Sequence, residues 1–273
     1  MTEQQRTIKE AIAFEGIGLH TGEKVRLEIC PAPANHGYKF QRTDLDNQPI
    51  IKADVDYVVS TERGTTLEQN GARVYTTEHV LAALYGCQVD NALIKLDGPE
   101  IPIMDGSALP FVKSIEAVGY QEQEAVREYF ELTENIPWED LEKQIEFLAI
   151  PDKVYRLTVM VDYNSPILGT QHASMYHLGE FNTEIAACRT FVFLRELEYL
   201  ATHNLIKGGD LDNAIVIVDR VMEKKGLDAL AKKLGKPSVE IDKEGILNTI
   251  ELKFKNEAAR HKLLDVMGDL ALI

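Results

Sequence analysis

Apolar and polar positions alternate over short stretches in the first part of the chain, as where Val25, Leu27 and Ile29 stand between Lys24, Arg26 and Glu28. Strands are therefore predicted over residues 7–12, 24–29 and 38–41, punctuated by Gly16, Gly18, Gly22 and Pro31. Asn70-Gly71, a dipeptide suited to a tight hairpin, lies between Thr65-Thr66-Leu67 and Arg73-Val74-Tyr75. The pattern then shifts to a helix over residues 77–85, stopped by Gly86, and to a strand over 91–96. A Pro/Gly-rich turn over 98–106 follows, and Ser107 can cap a second helix over 108–118. Residues 121–126, Gln-Glu-Gln-Glu-Ala-Val, are a polar break and the expected domain boundary.

Beyond that break, strands are predicted over 129–132, 144–148, 156–162 and 214–218, and helices over 194–203 and 257–270. Residues 219–252 are a Lys/Glu-rich insertion holding a short amphipathic helix from Gly226 to Leu234, read as a solvated excursion. Asp90-Asn91-Ala92-Leu93-Ile94 is echoed by Asp212-Asn213-Ala214-Ile215-Val216, each where a turn enters a strand. Chance can produce so short a match. The alternative is an internal duplication: two related α+β units, residues 1–124 and 125–273.

Composition narrows the class. With 273 residues the chain can bury one large or two modest cores. A net charge of −15 argues against general nucleic-acid binding, which needs a Lys/Arg excess, but leaves room for a phosphorylated small molecule in a local basic pocket. Cys30, Cys87 and Cys188 are too few and scattered for a disulfide framework, so a reducing, cytoplasmic compartment is expected. No apolar run approaches the length of a membrane span, and the first residues lack a signal core. No oligomeric state follows from the residues.

Two half-sites carry candidate chemistry. His261 and Asp265 are one helical turn apart on one face and can grip a single ion, although such pairs also occur as surface ion pairs. Asp269 is one turn further along the same row. Glu78-His79 stands at a helix start, where the dipole alone favours Glu. As a functional pair, His79 can bind a metal while Glu78, projecting about 100° away, accepts a proton from an attacking water. Two imidazoles and one carboxylate match a catalytic zinc rather than a Cys-rich structural one. A serine or cysteine hydrolase is disfavoured, because no Gly-x-Ser-x-Gly elbow is present.

Further motifs accompany the half-sites: Gly16-Ile17-Gly18-Leu19-His20-Thr21-Gly22, Thr77-Glu78-His79-Val80-Leu81-Ala82-Ala83-Leu84, and Pro99-Glu100-Ile101-Pro102-Ile103-Met104-Asp105-Gly106-Ser107. Arg189-Thr190-Phe191, Gly208-Gly209, Asp212-Asn213-Ala214-Ile215-Val216 and Arg260-His261-Lys262-Leu263-Leu264-Asp265 follow in order. In this set the chain resembles the zinc-dependent deacetylases that remove acetate from UDP-3-O-(3-hydroxyacyl)-N-acetylglucosamine, the committed step of lipid A synthesis. The resemblance implies an α+β fold of two similar domains with helices sandwiched between their sheet layers. It implies that His79, His261 and Asp265 ligate Zn2+, that Glu78 is the general base, and that Thr190 helps stabilise the oxyanion. Lys262 matches a charged residue near the reacting amide, and Asp269 matches a carboxylate that orients a general-acid histidine.

In the family that histidine lies in a Gly-His pair downstream of Gly268-Asp269-Leu270, whereas this chain stops at Ile273. The expectation is a truncated piece of a longer protein, such as the deacetylase part of a fusion with a hydroxyacyl carrier-protein dehydratase. The competing expectation is a catalytically impaired scaffold that binds zinc and substrate only. His172, His177 and His203 do not fill the missing motif and read as surface or channel residues. For the acyl chain, the family's insertion matches residues 191–216, where Phe191, Leu197, Ile206, Leu211 and Ala214 are candidates for lining a sleeve or, equally, for ordinary core.

Overall fold

The computed structural model describes residues 3–196, 207–209, 213–218, 223–233, 240–241, 245–247 and 251–273. The first half runs through β1 (Gln4–Ile8), β2 (Ile12–Ile17), β3 (Lys24–Pro31), β4 (Tyr38–Arg42), β5 (Ile50–Lys52), β6 (Val58–Ser60), β7 (Thr66–Gln69) and β8 (Ala72–Val74). Helix α1 (Glu78–Gly86), β9 (Ala92–Leu96), α2 (Leu109–Val118) and β10 (Tyr120–Val126) complete it. The main sheet has five strands in the order β2-β3-β9-β4-β5, antiparallel except for the parallel β4/β9 pair. Val25, Leu27 and Ile29 point inward from β3 while Lys24, Arg26 and Glu28 face out, so period-two alternation does fix the buried face here. The β7/β8 hairpin turns at Asn70 (φ 54°) and Gly71 (φ 78°), the left-handed pair that a two-residue hairpin loop requires.

The second half contains β11 (Ile136–Asp140) and β12 (Ile145–Ala149), then β13 (Leu157–Asp162) and β14 (Thr170–Met175), each pair an antiparallel hairpin. A π-helical turn, Phe181–Ile185, leads to β15 (Phe191–Phe193), which pairs in parallel with β16 (Ile215–Ile217). Helices α3 (Lys224–Lys233) and α4 (Glu257–Leu270) follow. Both copies of the sequence echo thus enter a strand that lies parallel to an earlier one: β9 beside β4, and β16 beside β15.

Helix α1 is buried nearly all round, from Glu78 to Leu84, because it sits between layers. Among the described residues, α1 and α4 make the most extensive contact of any two elements, and the far side of α4 rests on β13 and β14. One core joins Leu27, Ile29, Phe40 and Ile94 of the sheet to Leu81, Leu84 and Phe111 of the helices, and to Leu263, Leu264 and Met267 of α4. The mixed α/β architecture, with helices between sheet layers, is the one expected.

Several local expectations are corrected. Residues 121–126 are not a break: they form β10, which pairs with β1. Their alternate polar side chains suit a strand at the surface, and buried Asn91 donates to Gln123 there (2.8 Å). Residues 129–132 form no strand; Tyr129 is instead tied through its hydroxyl to Glu3 (2.7 Å). The strand expected over 7–12 is two, β1 and β2, separated by a turn in which Lys9 N donates to Gly119 O (3.1 Å). The helix expected over 194–203 begins as such at 194–196, and the rest lies outside the described residues.

Candidate metal centre

Glu78 and His79 form the first turn of α1, and His261, Lys262, Asp265 and Asp269 lie along α4. The packing of α1 on α4 converts this sequence separation into contact. It is close because position 268 is glycine: a Cβ there would stand 2.1 Å from the Glu78 carbonyl oxygen. The His79 and His261 rings meet edge to face, centroids 5.0 Å apart. Their Nε2 atoms lie 3.7 Å and 3.3 Å from Asp265 Oδ1.

The geometry passes the test for a cation. One ligand atom from each of His79, His261 and Asp265 falls within 4.8 Å of the others. Ligand atoms about 2 Å from a tetrahedral zinc are themselves about 3.3 Å apart. Asp265 Oδ1 is buried and, among the described residues, makes no hydrogen bond. A buried carboxylate oxygen in that state calls for a partner. His261 Nδ1 lies 3.0 Å from the Cys188 carbonyl, which can only accept, so Nδ1 carries the proton and the Nε2 lone pair faces the centre.

Electrostatics agree with ligand roles for His261 and Asp265. Burial lowers the His261 pKa to about 4, keeping the ring neutral as a ligand must be. Burial also acts against the charge on Asp265, but His261, Lys262 and His79 together outweigh it and hold the carboxyl below its usual range. For His79, burial is opposed by the nearby carboxylates of Asp265 and Glu78, and the net shift is upward. Burial, helped by the charge of Asp265, pushes Glu78 up to about 7, into the range of a group that both takes and gives protons near neutrality. Thr65 N donates to Glu78 Oε2 (2.9 Å). Lys262 Nζ donates to Asp265 Oδ2 (3.0 Å), and that charge raises its pKa. Asp269 accepts from the Thr65 hydroxyl (2.5 Å), and burial raises its pKa.

The remaining expected residues divide. Phe191 lies beneath Lys262, Nζ 5.6 Å from its ring centroid, and stacks edge-on against Tyr163. Thr190 is placed through its backbone: its N donates to Gly106 O (2.8 Å) and its carbonyl accepts from Ile215 N (2.9 Å). Ala214 is buried at the entry to β16. Leu197, Ile206, Leu211 and His203 lie outside the described residues. His172 and His177 are exposed.

Sequence reading missed three supports. Thr65 binds both carboxylates, yet its partners are 13 and 204 positions away. The Cys188 carbonyl is main chain and leaves no side-chain signature. Buried Glu257 accepts from Arg189 N (3.1 Å), Arg189 Nε (2.9 Å) and Lys253 N (2.7 Å), anchoring the start of α4 to the segment that leads through Thr190 into β15. The charged pair Arg189 and Glu257 was the available signal there.

Residues 5–231 and 229–273 match the family described as LpxC, UDP-3-O-acyl N-acetylglycosamine deacetylase. Over 276 residues the chain is 47% identical to a bifunctional enzyme LpxC/FabZ of Chlorobaculum tepidum, covering 100% of this chain and 59% of that protein. A bifunctional enzyme LpxC/FabZ of Bacteroides thetaiotaomicron is 48% identical over 270 residues, covering 99% of this chain and 59% of the relative. A UDP-3-O-acyl-N-acetylglucosamine deacetylase of Myxococcus xanthus is 39% identical over 269 residues, with 98% and 77% covered. The chain therefore spans less than two thirds of the length of the bifunctional relatives. Similarity along the whole chain, including both half-sites that α1 and α4 bring together, places it: the chain belongs to the UDP-3-O-acyl N-acetylglycosamine deacetylase family.

Proposed function

We propose that this protein hydrolyses the N-acetyl amide of UDP-3-O-(3-hydroxyacyl)-N-acetylglucosamine, releasing acetate in the committed step of lipid A synthesis. The observation that carries the reading is the convergence of His79, His261 and Asp265 Oδ1, which makes no hydrogen bond among the described residues, beside a buried Glu78. These three residues would hold Zn2+. When bound, zinc supplies Lewis-acid polarisation of the amide carbonyl and acidifies the attacking water.

The chain's own groups do the rest. Glu78, held by Thr65 N, takes the proton of the water as its oxygen adds to the carbonyl carbon. Lys262 and Thr190 offset the negative charge that grows on the carbonyl oxygen. The amine leaves only if its nitrogen gains a proton; Glu78 can return the one it took from the water, and Asp269 is assigned to orient a general-acid histidine. Phe191 and Ala214, with Leu197, Ile206 and Leu211, are assigned to the acyl chain. The support for Phe191 is its place beside Lys262 in a cluster with Tyr163, Phe193 and Ile215. The division into two similar units near residue 125 is supported by the parallel strand pair in each half.

The substrate is an amphiphile, and no helix among the described residues is long and apolar enough to cross a membrane. A cytoplasmic enzyme meeting its substrate from the water side fits these facts. The test is acetate release from the acylated UDP-N-acetylglucosamine with one equivalent of zinc, repeated with chelator. Chelator-sensitive release is the expected result. Stoichiometric zinc without release would leave a binding scaffold, and neither zinc nor release would sink the site.

A further inference from the structure

Thr65 lies in the loop between β6 and β7, outside both half-sites, and is 4% exposed. All three of its polar groups point into the α1/α4 junction. Its N–H donates to Glu78 Oε2 (2.9 Å), and its hydroxyl donates to Asp269 Oδ1 (2.5 Å). Its carbonyl accepts from Thr77 N and from Thr77 Oγ1, both at 3.2 Å, which ties the loop to the start of α1. One residue therefore grips a carboxylate from each helix. Packing fixes helix axes, but it leaves carboxylate torsions soft, and hydrogen bonds to charged groups are what set them.

We infer that Thr65 is a positioning residue of this centre, clamping Glu78 and Asp269 in a fixed mutual geometry across the two halves. The catalytic part of this inference rests on the deacetylase reading; the clamp itself does not. Its hydroxyl orients Asp269 directly. Through the same short loop it keeps the Thr65 N–H aimed at Glu78. Adjacent Gly64 closes over that carboxylate: a Cβ there would stand 3.1 Å from Glu78 Oε1.

Two measurements separate the clamp from the activity. The first is a double-mutant cycle with Thr65→Val and Asp269→Ala, read by urea unfolding of the metal-free protein. A coupling of about tenfold or more in the unfolding constant is expected for a buried hydroxyl–carboxylate bond; additive effects would overturn the clamp. The second is steady-state deacetylation with zinc content assayed alongside. Thr65→Val is expected to keep its zinc and its KM and to lose about tenfold or more in kcat, the effect of a misplaced catalytic group. Thr65→Ser, which restores the hydroxyl, is expected to recover the rate. Wild-type kcat in Thr65→Val, or equal losses in the Val and Ser variants, would reject the positioning role. If the wild-type protein releases no acetate the deacetylase reading fails, and the unfolding cycle still decides the clamp.

Discussion

At the scale of single residues, the same burial that tunes the centre silences groups elsewhere. The thiol of Cys87 is raised to about 11 and that of Cys188 to about 12, in both cases chiefly by desolvation. The thiolate is the reactive form, so at pH 8 very little of either cysteine is reactive. Iodoacetamide at that pH should label half-buried Cys30 first in the folded protein, with Cys87 and Cys188 reacting only on unfolding or at much higher pH. Mass spectrometry of timed samples checks the order; Cys188 labelled as fast as Cys30 would contradict it. Glu78 offers the sharper chemical test. Glu78→Gln keeps the shape and removes the proposed base, so zinc stoichiometry should hold while kcat falls by about a hundredfold or more. Full activity in that variant would remove Glu78 from the reaction. Both half-sites were legible in sequence because the residue types and the i, i+4 spacing carry chemistry by themselves. Thr65 was not, since a threonine in a loop acquires meaning only from what it touches.

At the scale of elements, the α1/α4 pair is the part of the fold on which the centre depends. Gly268 permits the close approach, so Gly268→Ala must push its methyl into the Glu78 carbonyl. The expected cost is about 1–3 kcal/mol of stability, accompanied by weaker zinc binding because the ligands of the two helices separate. Calorimetry and zinc titration read the two effects, and unchanged zinc affinity would show that the helix spacing is not limiting. The start of α4 is pinned differently. Glu257 is fully buried against Arg189, and Glu257→Ala would strand the guanidinium, at a cost of about 3–5 kcal/mol. Denaturant unfolding checks this, and a loss below about 1 kcal/mol would contradict it. Helix α4 was read correctly from its pattern, with the observed bounds Glu257–Leu270. Residues 121–126 read as a polar break in sequence because the polar surface residues of β10 resemble one until its partner strand β1 is known.

At the scale of the whole molecule, the proposed ligands come from both halves, so metal binding there would be linked to the association of the halves. Zinc at about one hundred times its Kd should stabilise the folded protein by about 2.7 kcal/mol. The melting temperature should therefore rise with zinc and fall back with chelator. His79→Ala and Asp265→Ala should each abolish the shift, although they lie on opposite sides of the junction. A shift that survives either substitution would place the metal elsewhere.

The sequence by itself determined the family, the candidate ligands and base, the α+β class and most helix bounds. Each of these depends on residue type and near-neighbour spacing, which the linear order preserves. Only the tertiary structure decided that the half-sites share one centre, that Asp265 Oδ1 stands without a hydrogen-bond partner, and that a main-chain carbonyl sets the His261 tautomer. It also decided that Thr65 spans the two acids. Those properties are distances between atoms far apart along the chain, and they exist only once α1 has packed against α4 and water has been excluded between them.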